Sequence, residues 1–75
     1  MSRLPALSSR KVIQALQRGG FYIDHATGGH YRLKHRQDPT RSAVVPFHTS
    51  DIKRPLLRAI LKQARLSDAE FLALL

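Results

Sequence analysis

Seventy-five residues suffice for one domain, spanning 1–75, with one small hydrophobic core and a modest stability margin. Hydrophobic residues at 43% and charged residues at 24% fit a folded domain, and the lack of cysteine excludes disulfides and cysteine-ligated zinc. Thirteen Lys and Arg against five Asp and Glu give a net charge of +8, which points to a polyanionic partner, nucleic acid first.

The charge is uneven along the chain. No cation follows Arg65, whereas Asp68 and Glu70 are acidic, so residues 1–65 hold thirteen positive and three negative charges, a net of +10. The start, Met1-Ser2-Arg3-Leu4-Pro5, lacks the apolar run of a signal peptide, and no segment has the length of a membrane span. The expected location is the cytoplasm.

In chain order, Ser8 or Ser9 caps a first helix that runs to about Arg18, with Val12, Ile13 and Leu16 as its apolar stripe. Gly19-Gly20 ends it. Phe21 to Ala26 alternates as a strand, with Phe21, Ile23 and His25 on one side and Tyr22 and Asp24 on the other. Thr27-Gly28-Gly29 reads as a three-residue hairpin turn, and His30 to His35 as the returning strand. That loop pairs Ala26 with His30, His25 with Tyr31, Asp24 with Arg32 and Ile23 with Leu33. It buries Phe21, Ile23, Tyr31 and Leu33 together, and it sets an opposite-charge pair, Asp24 and Arg32, across the strands.

Residues 36–41 form a polar turn around Asp38-Pro39, and Ser42 to Phe47 a third strand. His48-Thr49-Ser50-Asp51 connects to a second helix from about Lys53 to Arg65, with Pro55 in its first turn. Its inward residues are Leu56, Leu57, Ile60, Leu61 and Ala64. Arg54, Arg58, Lys62 and Arg65 form a cationic ridge on its other side. Ser67-Asp68-Ala69-Glu70 is a capping box that opens a short last helix, anchored by Phe71, Leu72 and Leu75. Helix, three strands, helix, short helix is an α+β order, best satisfied by an antiparallel meander with helices on one face.

The chemistry concentrates in Gly28-Gly29-His30-Tyr31-Arg32-Leu33-Lys34. On a strand, His30, Arg32 and Lys34 share one face while Tyr31 and Leu33 take the other. An imidazole set in a row of cations can exchange protons near neutrality on a phosphate that the cations hold. The plainer reading of His30 is a surface histidine at a hairpin end. Arg32 and Lys34 suit phosphate binding, as do Arg54, Arg58 and Lys62, whose plainer reading is a solvated helix face. His48 reads as a loop residue with a local hydrogen bond rather than a second proton-transfer group, and His25 and His35 as packing residues. Tyr22 is a candidate for base stacking, whereas Tyr31 reads as core. No spacing groups the four histidines into a metal site.

The whole arrangement resembles the HicA family of toxin ribonucleases from bacterial toxin–antitoxin pairs. The resemblance rests on Gly19-Gly20-Phe21 after the first helix, Gly28-Gly29-His30 in the hairpin and Val45-Pro46-Phe47-His48 after the third strand. It continues through Leu57-Arg58-Ala59-Ile60-Leu61-Lys62-Gln63-Ala64 and the tail Leu66-Ser67 with Glu70-Phe71-Leu72. It implies a fold like a double-stranded RNA-binding domain and a metal-independent endoribonuclease that cuts mRNA and inhibits translation, with His30 as the catalytic residue and no cofactor. It also implies a HicB-like antitoxin partner that masks the site and carries any DNA binding. Two positions depart from the family pattern. Gly29 stands where many members have serine, which bears on phosphate binding, and Arg65 where glycine often precedes the last helix, which bears on the turn. A non-catalytic RNA-binding module using the same basic face is the alternative. A helix-turn-helix DNA binder over residues 53–75 is disfavoured by the acidic start of the last helix and by three strands it leaves unexplained.

Overall fold

Residues 4–47 and 50–75 are described by the computed structural model. The chain order is α1 (Ser9–Arg18), β1 (Phe21–Thr27), β2 (His30–His35), β3 (Ser42–Pro46), α2 (Arg54–Ala64) and α3 (Asp68–Leu72). The three strands form one antiparallel sheet in the order β1-β2-β3. This is the α+β meander that the residue pattern predicts and the double-stranded-RNA-binding-domain-like fold that the family resemblance implies, with a short third helix added. No helix of the described residues is long and apolar enough to cross a membrane.

The helix ends follow their local chemistry. Ser8 is the N-cap of α1, its hydroxyl accepting from the Lys11 N–H, which satisfies one of the donors that a helix start leaves open. Ser9 is buried instead, and its Oγ donates to the Pro46 carbonyl at 2.7 Å, tying the start of α1 to the end of β3. The α3 capping box is complete: the Ser67 hydroxyl accepts from the Glu70 N–H at 3.0 Å, and Glu70 Oε1 accepts from the Ser67 N–H at 2.9 Å.

The core lies between one sheet face and the helices. Leu33 and Val45 from the sheet, Val12 and Leu16 from α1, Leu57, Ile60 and Leu61 from α2, and Phe71 from α3 are all essentially inaccessible. Two further core residues, Leu4 and Ile52, come from segments without helix or strand periodicity. Flanking residue Leu7 pairs with Ile52 in an antiparallel bridge, donating to the Ile52 carbonyl and accepting from its N–H at 2.7 Å. Leu56, expected to face inward, is 41% exposed, because the stripe of α2 runs through positions 57, 60, 61 and 64.

The hairpin register differs from expectation in one respect. Ile23 does pair with Leu33, but Thr27 pairs with His30, Ala26 with Tyr31 and His25 with Arg32. Gly28 and Gly29, with φ of 55° and 79°, form a two-residue turn in the left-handed region, so Thr27 belongs to the strand and not to the loop. From Ile23 to the turn, β1 then holds one residue more than β2 needs. A β-bulge between Ile23 and His25 absorbs the excess. Asp24 therefore has no partner directly across the sheet, and Ile23, expected in the core, is 38% exposed. Tyr31 is half-buried against the core, its ring 5.2 Å from that of the exposed Phe47.

Candidate nucleic-acid interface

The helices cover one face of the sheet, and the residues of β2 that point away from them form the other. Leu33 is fully buried between Ile23 and Ala43, so its neighbours Arg32 and Lys34 project from the open face, and His30 joins them two positions earlier. His30 is the first residue of β2, held at the turn by a long hydrogen bond, 3.3 Å, in which Nδ1 donates to the Gly28 carbonyl. Since a carbonyl can only accept, the tautomer that makes this bond carries its proton on Nδ1 and presents Nε2 as the bare nitrogen of the neutral ring. Across from His30 stands Pro46, in a pair that carries no backbone hydrogen bond of its own, and just beyond it the Phe47 N–H donates to the Gly29 carbonyl at 2.7 Å.

The bulge changes which β1 residues share this face. Asp24 Oδ2 accepts from His25 Nδ1 at 2.9 Å and lies 3.8 Å from Lys34 Nζ. His25, opposite Arg32, is therefore a half-exposed member of the cationic face and not a packing residue. The His25 hydrogen bond holds the Asp24 carboxyl below the usual carboxylate range; burial, the next largest effect, opposes it, and the Lys34, His25 and Arg32 charges add to the lowering. His35, by contrast, packs as expected, edge-on to Phe21 with ring centres 5.0 Å apart, while its Nδ1 accepts from the Gln37 N–H. Tyr22, opposite Lys34, carries the Arg36 guanidinium 5.7 Å from its ring centre, a cation–π contact on one face of the ring.

The α2 cations sit elsewhere. Arg54, Arg58, Lys62 and Arg65 line an exposed flank of the helical layer, not the open sheet face. Two of them have carboxylate neighbours: Arg58 Nη2 lies 3.8 Å from Asp68, and Arg65 Nη1 lies 3.6 Å from Asp38. Arg54 and Lys62 have no acidic partner among the described residues. The residues singled out by sequence thus form two basic surfaces, one on each layer. A groove lined by Leu7, Lys11, Gln14, Arg18 and Leu75 shares no residue with either. His48 lies outside the described residues, and no cluster of three or more metal-ligating side chains occurs among the described ones.

His25 is the residue of the open face that sequence reasoning missed. The only local signal was the Gly28-Gly29 pair, whose preference for a two-residue turn leaves one residue too many in β1.

The family model described as the HicA toxin of bacterial toxin–antitoxin pairs matches residues 9–66, from the start of α1 to just past α2. No curated protein matches the chain.

Proposed function

Because the chain belongs to the HicA toxin family, and so is the toxin member of a pair with a cognate antitoxin, we propose that it acts as a metal-independent endoribonuclease on mRNA. His30 is the proton-transfer residue, and Arg32 and Lys34 bind the scissile phosphate. The observation that carries this reading is the placement of His30, with its Nδ1 proton on the Gly28 carbonyl, at the head of a strand whose next two outward residues are cations.

RNA contains its own nucleophile, the 2′-hydroxyl, and this selects RNA over DNA. The bare Nε2 of His30 removes the 2′-hydroxyl proton as the oxygen attacks phosphorus. Arg32 and Lys34 offset the negative charge that grows on the phosphoryl oxygens, usually the larger contribution. Arg54, Arg58 and Lys62 take phosphates farther along the strand. The antitoxin silences the toxin by covering this basic surface, and the arrest of translation follows from loss of mRNA.

The test is cleavage of a labelled mRNA by the purified chain in excess EDTA, native against His30→Ala. The native chain is expected to cut, and the variant to lose about 10²–10⁴-fold in rate while still binding RNA. RNA bound but uncut by both would identify a non-catalytic binding module. Equal cutting by both would remove His30 from the mechanism.

A further inference from the structure

The open sheet face holds a second imidazole that the function above does not use. His25 reaches that face only because the bulge at Asp24 shifts the β1 register by one residue. Its Nδ1 is fixed by the Asp24 carboxylate at 2.9 Å, so Nε2 is the nitrogen left to meet a substrate, just as in His30. Arg32 is directly opposite His25 in the register, and His30 is two residues along β2 from Arg32, which makes the imidazoles diagonal neighbours. Diagonal positions on one face stand roughly 7–8 Å apart, a span that one phosphate can bridge between two ring nitrogens.

We propose that His25, oriented by Asp24, is the second proton-transfer group of the site, the general acid that faces His30 across a phosphate held by Arg32. The proposal rests on the ribonuclease reading. In the reaction, His30 Nε2 takes the 2′-hydroxyl proton, the 2′-oxygen bonds to phosphorus, and the phosphorus–O5′ bond breaks. His25, carrying protons on both nitrogens, gives its Nε2 proton to the departing O5′. The products are a 2′,3′-cyclic phosphate and a 5′-hydroxyl end, and the two histidines finish with exchanged protonation states that solvent resets. The carboxylate serves as a positioning group: it accepts from Nδ1 whether or not Nε2 bears a proton, so the ring holds its orientation through the cycle. The titratable and charged groups that face His25 are Asp24 from its own strand and Arg32, Lys34 and His30 from β2; β1 is an edge strand with solvent beyond it.

The roles separate on a substrate whose leaving group needs no proton. An RNA is made with sulfur replacing the bridging 5′-oxygen at a mapped cleavage position, and native chain, His25→Ala, Asp24→Asn and His30→Ala are compared on it and on ordinary RNA. His25→Ala is expected to slow ordinary cleavage by about 10²–10⁴-fold with RNA affinity retained, and to recover to within about tenfold of native on the thio substrate. Asp24→Asn shows the same pattern with a smaller loss and a displaced pH–rate profile. His30→Ala is slow on both. His25→Ala cutting like native, slowing equally on both substrates or losing only affinity overturns the role of His25 and leaves that of His30 standing. If the native chain cuts neither substrate, the ribonuclease reading itself fails and takes this proposal with it. The His25 side chain is half exposed, and circular dichroism on each variant confirms that the fold persists.

Discussion

Arg65 carries the one non-glycine residue with positive φ among the described residues, 58°, at the C-cap of α2. A side chain in this left-handed conformation costs about 1–2 kcal/mol that glycine does not incur. The compensation visible at Arg65 is an exposed ion pair with Asp38, and surface pairs contribute little. Arg65→Gly is therefore expected to raise stability by about 0.5–1 kcal/mol after the greater unfolded-state freedom of glycine is subtracted. Chemical denaturation reads this directly, and a variant less stable than native would show that the Asp38 contact outweighs the backbone cost. At this scale the sequence was informative where one residue decides the outcome. Position 65 is where family resemblance expects glycine, and the strain appears there. His30 was legible because a turn and an alternation fix it within a few residues. His25 was not, since its face depends on a loop length that the sequence left open by one.

Elements were legible where end signals and periodicity agree. Ser8, the Gly19-Gly20 pair and the 12, 13, 16 stripe delimit α1, and the Ser67–Glu70 box starts α3. The β1–β2 hairpin had the right strands and the wrong pairing because alternation constrains faces but not bulges, which break the period of two. The α2 ridge was read correctly as a surface feature, yet its cations are not equivalent. Arg58 lies near Asp68 in α3, whereas Arg54 and Lys62 face solvent with no carboxylate among the described residues. A phosphate meets a charge already partly offset at Arg58 and an unopposed one at the other two. If the ridge binds RNA, Arg54→Gln and Lys62→Gln should each reduce the log–log salt slope of binding to a single strand by about 0.7, and Arg58→Gln by less. Fluorescence anisotropy with a 2′-deoxy strand, which cannot be cleaved, gives these slopes over a salt series. Slopes unchanged by both substitutions would leave the ridge as a solvated face.

At the scale of the molecule, a strongly basic chain keeps three of its five side-chain carboxylates in hydrogen-bonded structural use. Asp24 accepts from His25, Asp38 accepts from Thr40 and lies near Arg65, and Glu70 closes the α3 box with the Ser67 N–H. Their pKa values are all lowered, chiefly by the His25 hydrogen bond at Asp24, the Thr40 hydroxyl at Asp38 and the Ser67 N–H at Glu70. A carboxylate whose pKa is lower folded than unfolded stabilises the fold fully above its unfolded value, and that contribution disappears as pH falls through the folded one. Protonation also removes the negative charges that moderate self-repulsion in a chain of net charge +8, which acts in the same direction. The melting temperature should therefore be level near neutrality and decline below about pH 4. Thermal melts across pH 2–7 measure the decline, and Asp38→Asn with Glu70→Gln makes it shallower, since both amides retain an acceptor oxygen but cannot titrate. A melting temperature constant or rising through the acid range would mean that these carboxylates are as well solvated in the unfolded chain as in the folded one. The fold would then rest on its apolar core and backbone pairing alone.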